Sequence, residues 1–424
     1  MPGGKPPPPG TSTRSQHPAL NALSTPHTPH PALVRILHIT PHLPPDQAAN
    51  ALLPFHLGEW AKARGDSVHY LAHPPIKGAA EPRTDVTWVP RTERTFLQRT
   101  IRTGSIAAAW KIRTKGLSLI KAADLVHVHS NGILAEVGAT LATRLRKPTV
   151  LTLYGTEIWH YRPKRFGPDL FTQAYRGATA VTFYSRRLLE RANELGLSRP
   201  GCRVIYPPVA ASFTYHDRQA QRAERASLGL HHANLLVNVK RLHPLAGQRY
   251  LIEAMKDVVR DRPDTHLVIC GTGALLDDLR ATARAAGVER HVTFAGLVDN
   301  EIVARYCAAA DLFVLPSLLE ALPTVAVEAL ACGTPVVSSD NPGGVELNTI
   351  FGDDVEVVPR EQAQPLAAAI GRALGEDRRT TPATQAVVEQ RFRAAAVARQ
   401  YWDTYDQVVT NERRGGHLRT SDSE

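Results

Sequence analysis

The sequence predicts an α/β protein made of two Rossmann-like, doubly wound domains that face each other across a cleft. Three observations carry that expectation. Apolar strands alternate with helical patterns from residue 33 onward, and 424 residues exceed what one hydrophobic core usually supports. The strands are near-continuous apolar runs, which is how parallel strands covered on both faces read. The alternation breaks once, at Pro207-Pro208 and the polar stretch 212–227, and then resumes as a second series.

The first series opens with a strand at 34–40 (VRILHIT), a helix at 55–64 that Gly65 ends, and a strand at 68–72. Further strands fall at 125–129, 149–153, 178–184 and 203–206, with helices at 133–145 and 186–195 between them. The second series has strands at 235–239, 266–270, 292–294, 312–315 and 335–338. Residues 33–208 are therefore read as the first domain and 209–385 as the second, with 212–227 as a linker stretch. The Pro/Ser/Thr/His-rich segment 1–32 and the terminal 411–424 lack the apolar content for a core and are expected to be disordered tails.

Composition narrows the function classes. Four cysteines, Cys202, Cys270, Cys307 and Cys332, show no C-x-x-C spacing. Disulfides and zinc are not expected, and a reducing, cytoplasmic setting is. No apolar run approaches the ~20 residues of a membrane span. The N-terminal segment lacks the apolar core of a signal peptide. The net charge of +10 is carried by the first domain. It is densest over 91–121, where Arg91, Arg94, Arg99, Arg102, Lys111, Arg113, Lys115 and Lys121 are interleaved with Phe96, Leu97, Ile101, Ile106 and Trp110. Such a run is either a solvated helix face or a docking surface for an anionic membrane or an acidic acceptor. Nucleic acid is not expected as a partner, because no recognised binding motif accompanies the charge.

The stretch 311–346 holds the strongest chemical signal. A buried strand leads into a loop, Thr324 is placed to cap a short helix that stops at Gly333, and the next strand begins near Pro335. Glu320 lies in that loop, at the carboxyl end of a strand, where open parallel sheets bind ligands. Leu318, Leu319, Ala321 and Leu322 flank it, and a carboxylate among leucines is costly unless a ligand or partner uses it. Glu328 falls in the first or second turn of the helix, where an acid also suits the positive end of the helix dipole. Lys240 and Arg241 close the first strand of the second series and aim two cations at the same cleft, which suits a phosphate group. Cys270-Gly271-Thr272-Gly273 lacks the third glycine of a dinucleotide fingerprint and is read as a tight turn. His127 and His129 share one face of a strand and are read as core or hydrogen-bonded histidines rather than metal ligands. No Asp-x-Asp closes a strand, so no divalent metal is expected to hold a diphosphate. Lys240, Arg241 and the helix start at 324–326 are the groups left to neutralise one.

Together these residues resemble the GT-B-fold retaining glycosyltransferases of family four, over residues 33–410. The strongest element is the Glu-x7-Glu pair, Glu320 to Glu328, inside PSLLEALPTVAVEALACGTPVVSSD. The segments ILHITPHLPP, DLVHVHS, LTLYGTE, VKRL and VTFAGLV support it. The close of the chain, 386–410, is similar to the family's last helices, which cross back onto the first domain.

The resemblance implies a GT-B architecture and a nucleotide-diphosphate sugar held mainly by the second domain. Arg241, with Lys240, would meet the diphosphate, Glu328 the ribose hydroxyls and Glu320 the transferred sugar. Backbone around Val298 would meet the base, and the amides of Leu322 and Thr324 would lie near sugar and phosphate. Glu320 and Arg241 are then the catalytic residues, and Asn50, Tyr154 and Glu157 line the acceptor side of the cleft. The implied reaction retains the anomeric configuration of a hexose-type sugar by front-face attack, with neither metal nor other cofactor. Its acceptor would be a glycan, a glycolipid or a small molecule of the cell envelope, met in the cytoplasm or at the inner face of the plasma membrane. The competing class is a catalytically weak relative that binds a nucleotide sugar or a partner. Ala246 and the loss of the family's loop glycines motivate it, among four departures from the family pattern. Ala246 stands where the family has a lysine, residues 46–50 replace its glycine-rich first loop, Tyr154 replaces a histidine and Ala321 a glycine.

Overall fold

A computed structural model describes residues 33–46, 49–76, 80, 82–92, 106–130, 132–163 and 169–417. The segment 1–32, the positions Gln47 and Ala48, and Arg94, Arg99 and Arg102 of the basic stretch lie outside the described residues.

The first domain is built on a parallel sheet of seven strands in the order β3-β2-β1-β4-β5-β6-β7. They are β1 (Arg35–Thr40), β2 (Ser67–Ala72), β3 (Val86–Trp88), β4 (Leu125–His129), β5 (Thr149–Leu153), β6 (Ala180–Phe183) and β7 (Cys202–Val204). Helices α1 (Ala49–Arg64), α2 (Ile106–Ala122), α3 (Ile133–Arg144), α4 (Thr156–Trp159), α5 (Leu170–Gly177) and α6 (Arg186–Glu194) connect them. Every residue of β4 and β5 is buried, including the polar His127, His129, Thr149 and Thr152, as expected of parallel strands covered on both faces.

The second sheet has six parallel strands in the order β10-β9-β8-β11-β12-β13. They are β8 (Asn234–Val239), β9 (Thr265–Cys270), β10 (Val292–Gly296), β11 (Leu312–Leu315), β12 (Val336–Ser339) and β13 (Val355–Val358). Its helices are α7 (Arg218–Ser227), α8 (Gln248–Asp261), α9 (Leu276–Ala285), α10 (Asn300–Ala309), α11 (Thr324–Ala331), α12 (Pro342–Phe351), α13 (Ala363–Glu376) and α14 (Pro382–Arg391). Successive residues of β8 and β11 feed opposite faces of this sheet. Leu235, Val237, Phe313 and Leu315 join one core, while Leu236, Leu312 and Val314 join the other. In both sheets the strand order reverses once, between β1 and β4 and between β8 and β11.

Three expectations need correction. The polar stretch 212–227 is not merely a linker, because α7 occupies most of it. Its polarity serves a buried network: Gln221 donates to the Ala310 carbonyl at 2.8 Å, and Arg225 pairs with Asp311 at 2.7 Å. The crossing back to the first domain falls at Phe392 and Arg393 rather than at 386. Val388 and Phe392 still belong to the second domain's core. The final helix α15 (Ala394–His417) then lays Val397, Ala398, Tyr401, Trp402, Tyr405, Val408 and Val409 on the first domain, at the three- and four-residue spacing of one helical face. That helix also continues past residue 410, so 411–417 is helical rather than an unstructured tail. The two interdomain segments pair side by side, with Val209 N donating to the Phe392 carbonyl at 2.8 Å.

Candidate active site

The reversal between β8 and β11 places the ends of these two strands next to each other, and open sheets offer their ligand crevice at such a point. Lys240 and Arg241 leave β8 there, and the loop carrying Glu320 leaves β11. The Lys240 ammonium forms an ion pair with Glu320 Oε1. Arg241 is exposed, and among the described residues its guanidinium meets no acid. Ala246, where the family has a lysine, is buried in the short turn Pro244–Ala246. The cation that reaches the first glutamate therefore comes from position 240, one residue before the arginine.

Glycines allow this crowding of loops. A Cβ at Gly271 would stand 2.1 Å from the Lys240 carbonyl oxygen, and one at Gly273 2.1 Å from that of Leu242. The Gly-x-Gly turn thus lies flat on the segment that bears the two cations, with Leu242 N donating to the Thr272 carbonyl at 3.0 Å. Gln248 ties that segment to α8, donating to the carbonyls of Lys240 (3.3 Å) and Arg241 (3.4 Å).

The Glu320 loop is held by the start of α12. Asn341 caps that helix through Oδ1, accepting from Gly343 N (3.0 Å) and Gly344 N (3.2 Å), while its Nδ2 donates to the Ser317 carbonyl at 3.0 Å. Gly343 N also donates to the Glu320 carbonyl at 3.1 Å. A Cβ at Gly343 would stand 2.8 Å from Glu320 Cβ, so the close approach requires glycine. Sequence reasoning missed Asn341 and Gly343. The run Asn-Pro-Gly-Gly at a helix start was the available signal.

Helix α11 begins at Thr324, with Pro323 rather than Thr324 in the capping position and no side-chain cap. Ala326 N donates to the Pro323 carbonyl at 3.0 Å, and the amides before it lie at the strand-end side of the sheet, where an anion is favoured. Leu322 is buried and Thr324 half-buried. Glu328 sits in the second turn, half-buried, with no partner for its carboxylate among the described residues. Burial pushes its pKa up to about 7. Val298 follows β10 and is partly packed against the second domain's core.

On the first-domain side, the expected acceptor residues have other occupations. Glu157 is 2% exposed, and its carboxylate accepts from Gly155 N (2.8 Å) and Tyr154 N (3.4 Å), so it shapes the turn after β5. The Tyr154 hydroxyl points inward to His129 Nδ1 at 2.8 Å. Asn50 lies in the first turn of α1, and its carbonyl accepts from Thr40 Oγ1 at 3.0 Å. Gly155 matters more. A Cβ there would stand 3.2 Å from the Cβ of Ala321, so the extra methyl beside Glu320 is accommodated because residue 155 has no side chain. Just beyond, Trp159, His160, Tyr161, Arg162 and Arg191 line a cavity of about 630 Å³.

Beneath this surface lies a buried histidine group. His38, His127 and His129 are each fully buried, with nitrogens within 4.8 Å of one another. His38 Nδ1 meets His129 Nε2 at 3.0 Å, and His127 bonds Thr152 Oγ1 and the Tyr405 hydroxyl of α15, both at 2.7 Å. Burial keeps the imidazoles neutral, holding His38 down at about 3.

The model of the family "Glycosyltransferase Family 4" matches residues 55–213, and that of "Glycosyl transferases group 1" matches 220–387. The chain belongs to the GT-B glycosyltransferases of family four. This glycosyltransferase is 33% identical, over 58% of its length, to the GDP-mannose-dependent alpha-(1-6)-phosphatidylinositol monomannoside mannosyltransferase of Mycolicibacterium smegmatis, of which the match covers 66%. It is 34% identical, over 49% of its length, to the D-inositol 3-phosphate glycosyltransferase of Jonesia denitrificans, of which the match covers 49%. The matches thus span 49% and 66% of these two relatives. Among solved structures, the sucrose-phosphate synthase of Thermosynechococcus elongatus shares the fold with a TM-score of 0.68 at 21% identity, covering 90% of this chain and all of that one. The Anabaena HepE protein in complex with UDP does so with a TM-score of 0.67 at 20% identity, covering 88% of this chain and all of that one. Among the described residues, no helix of the glycosyltransferase is long and apolar enough to cross a membrane.

Proposed function

We propose that this chain transfers a hexose-type sugar from a nucleotide-diphosphate donor to an acceptor, with retention of configuration. The observation that supports this most is the gathering of Lys240, Arg241, Glu320 and the α11 amides at one reversal point. In this reading Arg241, Lys240 and the first amides of α11 hold the diphosphate, without a divalent metal. Glu328 accepts the ribose hydroxyls, backbone near Val298 meets the base, and Glu320 faces the sugar. The Lys240–Glu320 ion pair exchanges when the donor enters, because the diphosphate competes for the ammonium and the sugar hydroxyls for the carboxylate. The bond between the anomeric carbon and the phosphate oxygen then breaks, and the donors already aimed at the diphosphate stabilise its charge. The acceptor oxygen bonds to the same face of that carbon and gives its proton to the departing phosphate oxygen. No protein base is required.

The acceptor enters beside Gly155, into the cavity of Trp159, Tyr161 and Arg162, and belongs to the cell-envelope glycan or glycolipid class. Its delivery at the cytoplasmic face of a membrane is favoured by α2. Ile106, Trp110 and Arg113 follow i, i+4, i+7 on one exposed ridge of that helix, and Ile106 and Trp110 are 85% and 65% exposed.

The experiment is a panel of nucleotide sugars incubated with the purified protein, read by thermal shift and by donor hydrolysis. Stabilisation by a donor nucleotide that disappears in Arg241→Ala, together with hydrolysis lost in Glu320→Ala, is the expected result. Stabilisation without turnover on any donor or acceptor selects the binding-only relative, a reading that the buried Ala246 keeps in play. No stabilisation by any nucleotide sugar defeats both.

A further inference from the structure

Helix α12 makes contacts in two directions. Its first turn holds the loop of Glu320 through Gly343 and Asn341. One turn on, Glu346, only 4% exposed, reaches out of the second domain. Its carboxylate oxygens accept from the backbone amides of Arg186 (2.7 Å) and Arg187 (2.9 Å), at the start of α6 in the first domain. Oε1 also accepts from the Tyr206 hydroxyl at 3.1 Å, in the segment that connects the domains. Helix α6 has no acid in its own first turn; the Ser185 hydroxyl accepts from Leu188 N at 3.2 Å and also hydrogen-bonds the Glu346 carboxylate. A local capping box would put a Glu or Gln at position 188, where this chain has leucine. The missing acid arrives from the other domain, where the helix-start amides and dipole favour it. Tyr206 in turn stacks on Phe392 with ring centroids 5.0 Å apart, so the contact rests against both crossings between the domains.

We infer that Glu346 is a positioning residue, which sets the angle between the domains and, through the helix that bears it, the placement of Glu320. This rests on the reading of Glu320 as the sugar-facing group. A cap serving the stability of α6 alone needs no acid 160 residues away, nor one on the helix that fastens the ligand loop. Because α12 is a single short helix, a tilt at its second turn is carried to Gly343, which has no room to yield against Glu320 Cβ.

The test compares Glu346→Ala and Glu346→Gln with the wild-type full chain. Nucleotide-diphosphate affinity is read by calorimetry, kcat and KM by donor turnover, and the amides of Arg186 and Arg187 by hydrogen exchange. Affinity should stay within about twofold, because the donor groups lie in the second domain and are not partners of Glu346. In the alanine variant kcat should fall about tenfold, the scale of a lost charge-assisted hydrogen bond. Glutamine, which keeps the size and one acceptor oxygen, should recover part of that. Both amides should exchange faster. An unchanged kcat, amides as protected as in the wild type, or affinity falling in step with kcat would each overturn the inference. A Glu320→Ala control separates it from the reading it rests on. Full turnover there removes the link to catalysis, whereas the exchange result alone decides the interdomain contact.

Discussion

At their reversal points the two sheets have the same strand order and opposite chemistry. Between β1 and β4, the residues His38, His127 and His129 are fully buried and neutral; His38 meets His129, His127 bonds Thr152 and Tyr405, and His129 bonds Tyr154. Between β8 and β11, Lys240, Arg241 and Glu320 lie exposed or half-buried, and only Lys240 and Glu320 are paired with each other. Topology offers each sheet a crevice; solvation of the side chains decides which one can take a charged ligand. The first domain has filled its own with aromatic rings and with the last helix, and its share of the cleft moves outward to Gly155 and the cavity beyond.

The largest effects should come from the second reversal point. Glu320→Ala and Arg241→Ala should each lower turnover by about 100-fold, the scale of removing one donor from a preorganised charge site. His127→Ala serves as the opposing arm: it should lower the melting temperature and leave nucleotide affinity intact, and a loss of affinity there would erase the contrast. Next in size is Gly343→Ala. The new methyl meets Glu320 Cβ and Pro323 Cδ, and should cost about 1–3 kcal/mol in chemical denaturation, as overpacking does, along with turnover.

Glu328 offers a smaller effect with a definite sign. Its folded pKa is raised from 4.5 to about 7, so between those values the folded state binds more protons than the unfolded one. Its contribution to stability is therefore greatest on the acid side and declines as pH rises toward 7. Ribose hydroxyls favour the ionised form, so affinity for a nucleotide sugar should increase across the same window, by about tenfold per pH unit at most. Calorimetry on Glu328→Gln should give a flat profile. A slope that survives there would assign the titration elsewhere. The smallest effect concerns the outer face of the first domain. Trp110→Ala combined with Lys111→Glu and Arg113→Glu should weaken binding to anionic vesicles, by about 1 kcal/mol for each charge near the surface. Equal binding of the wild type to neutral vesicles would rule the lipid surface out.

Much of this architecture is legible in the sequence, because parallel strands buried on both faces leave short runs that are mostly apolar. The runs at 125–129 and 149–153 coincide with β4 and β5. Glu320 and Glu328 could be singled out from spacing and neighbours. What the sequence hides is chiefly who satisfies whom. The polarity of 212–227 reads as a linker because Gln221 and Arg225 find their acceptors in residues 309–311, far along the chain. Tyr154 and Glu157 sit at the correct strand end, but their polar atoms turn to His129 and to backbone amides, an orientation no local pattern encodes. Lys240 reaches Glu320 although it neighbours Arg241, since the chain has left the strand and no longer alternates its side chains.

The pairing of Val209 with Phe392 and Arg393 makes the second domain an insert, entered and left through one narrow neck. Its host is split between an early portion and the final helix. During synthesis the insert is complete before α15 exists, so the guest can finish folding while the host still awaits Tyr401 and Tyr405 for its core. Until then His127 lacks the hydroxyl of Tyr405 that its ring nitrogen meets in the finished fold.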